Sequence, residues 1–368
     1  MSKQLKLVLV IVLAVVTALS GVLFLVAATA AGTGYDPSKV KLDVKLITRD
    51  ELVTAAYKVY GDDNQNMWVA KTLIKNTGKM PVYDFRISYK VGDFTDWTSG
   101  QDYSEIRPGQ TVRDYCWPTL DPVKVNEITT KTPVELVMKY DYRGLKQPHE
   151  DYKKLFLLGR NDFVFSSIPE SDRVTFADNF DNYRFIAAFI TPNEEVTKSF
   201  ANSVGAGLET RISDQDALAA FKRAFDALRE QGVKYIMEPD AFWAGSAAQY
   251  VQYPRETIER RSGTCLDMAI TMSAMMEAIG VKSYVALIPG HAIPLVEMPE
   301  SGDVYAIEST FLDKDYALSK HGDVVSQDVS ASECIDLASD EINKAEKNGE
   351  IVMINPGYWW KEGVMPSW

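Results

Sequence analysis

Between residues 40 and 145 apolar and polar positions alternate in short runs. VKLDVKLI, MWVAKTLIKN, VYDFRISYKV and VELVMKYDY are rich in β-branched and aromatic residues, and turn signals such as NTGKMP and RPGQT separate them. Runs of this kind predict strands, and several at this spacing predict an antiparallel β-sandwich. Residues 150–190 are aromatic and mixed, and read as a strand or two leading into the next domain. The period then changes. In DQDALAAFKRAFDALREQG, Ala217, Leu218, Phe221, Ala224, Phe225 and Leu228 recur at helical spacing, with Gly232 as the stop. CLDMAITMSAMMEAI is apolar nearly all round, the pattern of a helix in the middle of a domain. Thr264-x-x-Asp267 is a capping pattern at its start, and Gly280 supplies a left-handed stop. Downstream, KSYVALIPGHAIPLVEMPESGDVYAIESTF reads as strand, Pro-Gly turn, strand, turn, strand. A polar helix is predicted near 330–348, before a tail, INPGYWWKEGVMPSW, whose adjacent tryptophans are expected to cap a core.

The N-terminus is patterned differently. MSKQLK precedes LVLVIVLAVVTALSGVLFLVAATAAG, which is uncharged and apolar up to Gly32. A helix needs about 20 such residues to span a bilayer, and Lys3 and Lys6 ahead of the run put the rest of the chain outside the cytoplasm. Residues 1–33 are therefore expected to be a single-pass transmembrane anchor or uncleaved signal, with the bulk of the chain extracellular. The small residues of AATAAG also allow a cleaved signal peptide and a secreted chain. A length of 368 residues calls for two or three domains. A net charge of -12, with no basic stripe after the N-terminus, argues against a nucleic-acid partner. Cys116, Cys265 and Cys334 are an odd set, so an exported chain keeps at least one thiol unpaired. A Cys116–Cys334 bridge would leave Cys265 free; three reduced, buried cysteines are the equal alternative. His149, His291 and His321 show no Cys or His partner at metal-ligand spacing, so neither a metal nor a cofactor is expected.

Candidate chemistry gathers around Cys265. It falls in the first turn of the apolar helix, where unpaired N–H groups and the helix dipole favour an anion such as a thiolate. A buried structural cysteine fits the same position. His291 opens the strand after the Pro-Gly turn, and Glu308 lies near the end of the next. A two-residue turn with Met298 facing Ser301 sets His291 directly opposite Glu308. A loop two residues longer keeps the pair diagonal on one face, and an odd length separates them. A thiol at a helix start, an imidazole and a carboxylate on paired strands form a Cys-His-acid set. His291 would take the thiol proton, and Glu308 would hold the imidazole.

The stretch YVQYPRETIERRSGTCLDMAITMSAMMEAIGVKSYVALIPGHAIPLVEM, followed by VYAIESTF, resembles the core of the transglutaminase-like superfamily. In these papain-like acyltransferases and proteases a G-x-C turn opens the central helix, and a histidine strand and an acid-x-Thr strand follow. The likeness runs over residues 190–312. It implies an α+β papain-like domain with Cys265 as nucleophile, His291 as base and Glu308 as third member. IEST carries glutamate where the family usually has aspartate, and the extra methylene alters the reach to the imidazole. For the oxyanion, the Cys265 N–H is one candidate donor and the Gln252 side chain another. IKNTGKMPVYDFRISYKV and IRPGQTV resemble the immunoglobulin-like sandwiches of prokaryotic surface proteins. The resulting division is an anchor over 1–33, an immunoglobulin-like β-sandwich over 34–150, a transglutaminase-like domain over 151–325, and a C-terminal helix and tail over 326–368 that pack on it. The expected function is that of a membrane-anchored, exported cysteine enzyme acting on a protein or peptide substrate outside the cytoplasm. It would transfer amide acyl groups to water or to an amine; a surface binding module that keeps the fold without catalysis is the alternative.

Overall fold

The computed structural model describes residues 35–58, 68–98, 101–208, 212–237, 248–321 and 329–368. Strands come first: β1 (Leu42–Thr48), β2 (Glu51–Leu52), β3 (Ala70–Asn76), β4 (Val82–Val91), β5 (Asp102–Ile106), β6 (Thr111–Cys116), β7 (Thr132–Asp141) and β8 (His149–Leu157), with one short helix, α1 (Pro122–Glu127), before β7. Alternation selects the buried face of each. In β3, Ala70, Thr72, Ile74 and Asn76 point inward while Lys71, Leu73 and Lys75 do not. Ile74 of β3 shares one core with Phe85 and Ile87 of β4, Leu136 of β7 and Leu155 of β8. The Tyr89 hydroxyl of β4 donates to Thr72 Oγ1 of β3 at 2.8 Å, so even the polar atoms of this pair are satisfied inside the core.

The chain as a whole is α+β, as expected, but the immunoglobulin-like sandwich expected here is corrected to two sheets with mixed pairing. One sheet is three-stranded and antiparallel, in the order β1-β3-β6. The other is five-stranded, in the order β2-β8-β7-β4-β5, and its outer β2–β8 pair runs parallel. The physical reason is that alternation dictates which face of a strand is buried and leaves its neighbour open. The turn signals NTGKMP and RPGQT join strands of different sheets, β3 to β4 and β5 to β6, so neither marks a hairpin and the β3–β6, β4–β5 and β4–β7 pairings stay hidden.

The remainder mixes helices and strands: β9 (Asp162–Phe163), α2 (Glu195–Val204), α3 (Asp214–Glu230), β10 (Lys234–Tyr235), β11 (Gln249–Tyr250), α4 (Pro254–Arg260), β12 (Ser262–Gly263), α5 (Cys265–Ala278), β13 (Ser283–Ile288), β14 (His291–Glu297), β15 (Val304–Ala306), α6 (Lys314–His321), α7 (Ala331–Asn348), β16 (Val352–Ile354) and α8 (Pro356–Lys361). One antiparallel sheet runs in the order β15-β14-β13-β16. Helix α5 packs on β13 and β14 and is flanked by α2, α3 and α4. That placement explains why it is apolar all round. Leu266, Ala269, Ile270 and Ala274 join Val285, Leu287 and Ala292 of the sheet in one cluster. Met268, Met272, Met275 and Met276 join Phe221, Phe225 and Leu228 of α3 in another. The tail caps the first cluster as expected, with Trp359, Trp360 and Trp368 packed against it. Ser367 fastens the tail further: its Oγ lies 2.6 Å from Ala55 O and 3.0 Å from Ala188 O, and Tyr57 OH donates to its carbonyl.

No helix among the described residues is long and apolar enough to cross a membrane. Helix α5 is apolar, but its 14 residues rise only about 21 Å at about 1.5 Å each, against a hydrocarbon core of about 30 Å. Helix α7 has 18 residues but is amphipathic, with one charged face. The single-pass anchoring expected from the sequence is corrected on this finding, and residues 1–33, on which that expectation rested, lie outside the described residues. All three cysteines are buried and free, so no Cys116–Cys334 bridge forms.

Candidate active site

The start of α5 is built by reciprocal capping. Thr264 Oγ1 accepts from Asp267 N at 3.3 Å, and Asp267 Oδ2 accepts from Thr264 N at 2.9 Å. This fixes Cys265 at the first helical position, 3% exposed. Asp267 also ties the incoming chain to the helix: its Oδ1 accepts from Gln252 N at 2.7 Å and its Oδ2 from Gln252 Nε2 at 3.1 Å. Burial pushes its carboxyl up to about 6, against the pull of these hydrogen bonds. Replacing Asp267 by alanine strands three N–H donors in the interior. The substitution is expected to cost about 1–3 kcal/mol, measured as a lowered urea midpoint, and to slow every reaction of Cys265.

His291 reaches the site through the Pro289-Gly290 turn, in which Gly290 takes a φ of 72° that favours glycine. The turn sets Ile288 opposite His291. The second hairpin pairs Leu295 with Ala306 and Glu297 with Val304, which makes its loop two residues longer than the tightest case. Strand β15 ends at Ala306, and Glu308 caps a 3-10 turn, Ser309–Leu312, beyond it. The pair nevertheless meets: His291 Nε2 lies 2.7 Å from Glu308 Oε2. Glu308 is 4% exposed, its Oε1 accepts from Thr310 N at 2.9 Å and from the Thr310 hydroxyl, and its own N–H donates to Cys334 O of α7 at 3.0 Å. The glutamate therefore reaches the imidazole from a turn rather than from the strand, and its additional methylene spans that offset.

Electrostatics bind the set together. Burial pulls the His291 imidazole down, but the Glu308 charge, the hydrogen bond to Cys265 and the hydrogen bond to Glu308 outweigh it and hold the ring well above 6.5. Burial likewise pushes Glu308 up, and the His291 charge and the hydrogen bonds from His291 and Thr310 bring it below 4.5. With Nε2 turned to Glu308, Nδ1 is the ring nitrogen left for the thiol. His291 and Glu308 are thus hydrogen-bonded to each other, and Cys265 acts on the charge of the same imidazole. By contrast, burial pushes the Cys334 thiol up to about 12, and Cys116 is buried in the strand-rich core.

Gln252 is placed otherwise. Its Nε2 donates to Ser262 O at 3.0 Å and to Asp267 Oδ2 at 3.1 Å, which commits both amide protons to the capping structure. Side chains that the sequence did not single out line the cleft beside His291 and Glu308, about 400 Å³ in volume: Tyr235, Tyr316, Glu341 and Lys344. Glu341 and Lys344 lie on one face of α7, three residues apart, and only the folded helix brings them here. Among the described residues, His291, Glu308 and Glu341 are the one group whose ligand atoms could gather round a metal, all within 4.8 Å of one another. Two of the three are already joined to each other, and Glu308 is joined to Thr310 as well.

No family model matches this sequence, and no curated protein matches it. Solved structures with some likeness include a FixG-related protein from Vibrio parahaemolyticus, 15% identical over 33% of this chain and 98% of that one, with a TM-score of 0.23. A "putative cysteine protease" from Cytophaga hutchinsonii is 13% identical over 64% of this chain and 68% of its own, with a TM-score of 0.25. A "putative protease" from Parabacteroides distasonis is 10% identical over 66% of each chain, with a TM-score of 0.23.

Proposed function

We propose that this chain is a transglutaminase-like cysteine enzyme that transfers the acyl group of a peptide or glutamine side-chain amide through Cys265, His291 and Glu308. The observation that carries this reading is the hydrogen bond from imidazole to carboxylate, with Cys265 in the first turn of a buried helix and acting on the charge of that imidazole. The Cys265 proton passes to His291, and the sulfur adds to the amide carbonyl carbon while the π pair moves onto oxygen. When the carbonyl re-forms, the C–N bond breaks and the departing nitrogen takes the proton from His291. A thioester remains on Cys265. Water or an amine then adds to it while His291 accepts a proton from the incoming group; the C–S bond breaks, the sulfur takes that proton back, and hydrolysis or cross-linking is complete. Glu308 keeps the ring oriented and stabilises its charge throughout. The division into units near residues 150 and 325 goes with this reading, since all three side chains fall in the middle one.

Hydroxylamine tests the reading whichever acceptor is natural, because it intercepts a thioester on either route. The full chain incubated with a pool of glutamine-containing peptides and hydroxylamine is expected to yield peptide hydroxamates, detected by mass spectrometry, and the Cys265→Ala variant none. Absence of hydroxamates with the unmodified chain would sink the enzyme reading in favour of a binding module.

A further inference from the structure

An acyl transfer at Cys265 needs hydrogen-bond donors where the carbonyl oxygen gains charge, and Gln252 has none left to give. Another group is fastened to the turn that leads into Cys265. Strand β10 pairs parallel with β12, setting Tyr235 against Gly263, and Ile236 N donates to Gly263 O at 2.9 Å. Gly263 leads through Thr264 directly into Cys265, so this pairing fastens Tyr235 to the turn that presents the sulfur. The Tyr235 side chain lines the cleft with His291 and Glu308. Its ring rests against that of Tyr316, with centroids 4.4 Å apart and planes at 50°. Burial first, and then the proximity of Cys265, with smaller contributions from Tyr316 and Glu308, hold its hydroxyl well above 10.0. The hydroxyl therefore stays protonated at any working pH, a neutral donor beside the group that attacks.

We propose that Tyr235 is a catalytic residue whose hydroxyl, together with the Cys265 N–H, hydrogen-bonds the carbonyl oxygen as the sulfur adds to it. The inference rests on the reading of Cys265 as nucleophile. Tyr235 keeps its proton throughout. The S–C bond forms, the oxygen carries the charge between the two donors, and the charge returns when the C–N bond breaks. The first-turn N–H of Cys265 suits this role because it has no partner within the helix.

Two probes separate this role from a merely structural one. Iodoacetamide alkylates the thiol at a saturated carbon and forms no oxyanion, whereas p-nitrophenyl acetate acylates it through a tetrahedral oxyanion. Modification of Cys265 in the full chain is followed by mass spectrometry, with Cys265→Ala as background. Tyr235→Phe is expected to slow acylation about 100-fold, the effect of removing one oxyanion donor, while alkylation changes less than about threefold. Equal slowing of both reactions, or of neither, overturns the inference while leaving a reactive nucleophile intact. Failure of both probes to modify Cys265 in the unsubstituted chain removes the nucleophile, and the inference falls with it.

Discussion

At pH 7 the His291→Ala variant is expected to react with iodoacetamide at Cys265 at least 100-fold more slowly than the unsubstituted chain, in line with the range of about 10²–10⁴ for a positioned acid–base group. In this reading the imidazole is the proton acceptor for the thiol, and removing it leaves the proton nowhere to go but solvent. The expected pH profile follows from the raised His291 value. The ring stays protonated beyond its ordinary 6.5, so its positive charge persists through neutrality. Alkylation of the unsubstituted chain should therefore vary little around pH 7, whereas in the variant it should climb steadily with pH. Cys116 and Cys334 serve as internal controls, since burial pushes both of their thiols up. An equal rate in the two proteins across this range would show that His291 does not activate the thiol.

What the sequence reveals and what it conceals divide along the reach of the signals. The central helix is legible because a continuous apolar run, the Thr264/Asp267 cap and Gly280 all act within a few residues of one another. His291 is legible because Pro289-Gly290 fixes a tight hairpin. Glu308 falls on the expected face, although its hairpin loop is two residues longer than the tightest case and it sits past the strand, because a shift of two preserves the side of a pleat. Tyr235 is invisible. It belongs to a two-residue strand, too short for any period, whose partner lies across α4 and a segment outside the described residues. Gln252 looks like an oxyanion donor in the sequence because position in the chain says nothing about where two amide protons point. The pairing of the N-terminal strands is hidden for a similar reason, since burial patterns name faces and not neighbours. The apolar N-terminal run suggests a membrane span, yet the described helices owe their apolar character to packing inside the protein.

Removal of the third member should show itself in stability as well as in chemistry. In Glu308→Ala the His291 ring keeps its burial, which lowers its affinity for a proton, and loses the carboxylate that opposed this. Thr310 N–H and its hydroxyl lose their acceptor too. Loss of a charge-assisted hydrogen bond in this setting is expected to cost about 2 kcal/mol near pH 6, measured by urea unfolding. The sign of the pH dependence is fixed by both partners. His291 has a folded value raised above 6.5, so its contribution is full below 6.5 and is lost as pH rises through the folded value. Glu308 has a folded value lowered below 4.5, so its contribution is full above 4.5 and is lost as pH falls through the folded value. The gap between the unsubstituted chain and the variant should accordingly be widest between pH 4.5 and 6.5 and narrow toward alkaline pH. Glu308→Gln separates charge from position: it can still accept from the ring, and should recover part of the stability while alkylation of Cys265 stays well below that of the unsubstituted chain. Glu308→Asp keeps the charge but loses the methylene that spans from the 3-10 turn to the ring, so it should weaken the contact to His291 or to Thr310. A gap between the unsubstituted chain and Glu308→Ala that stays constant from about pH 6 to about pH 9 would mean that the carboxylate packs beside the imidazole without sharing its charge, and would remove Glu308 from the catalytic set.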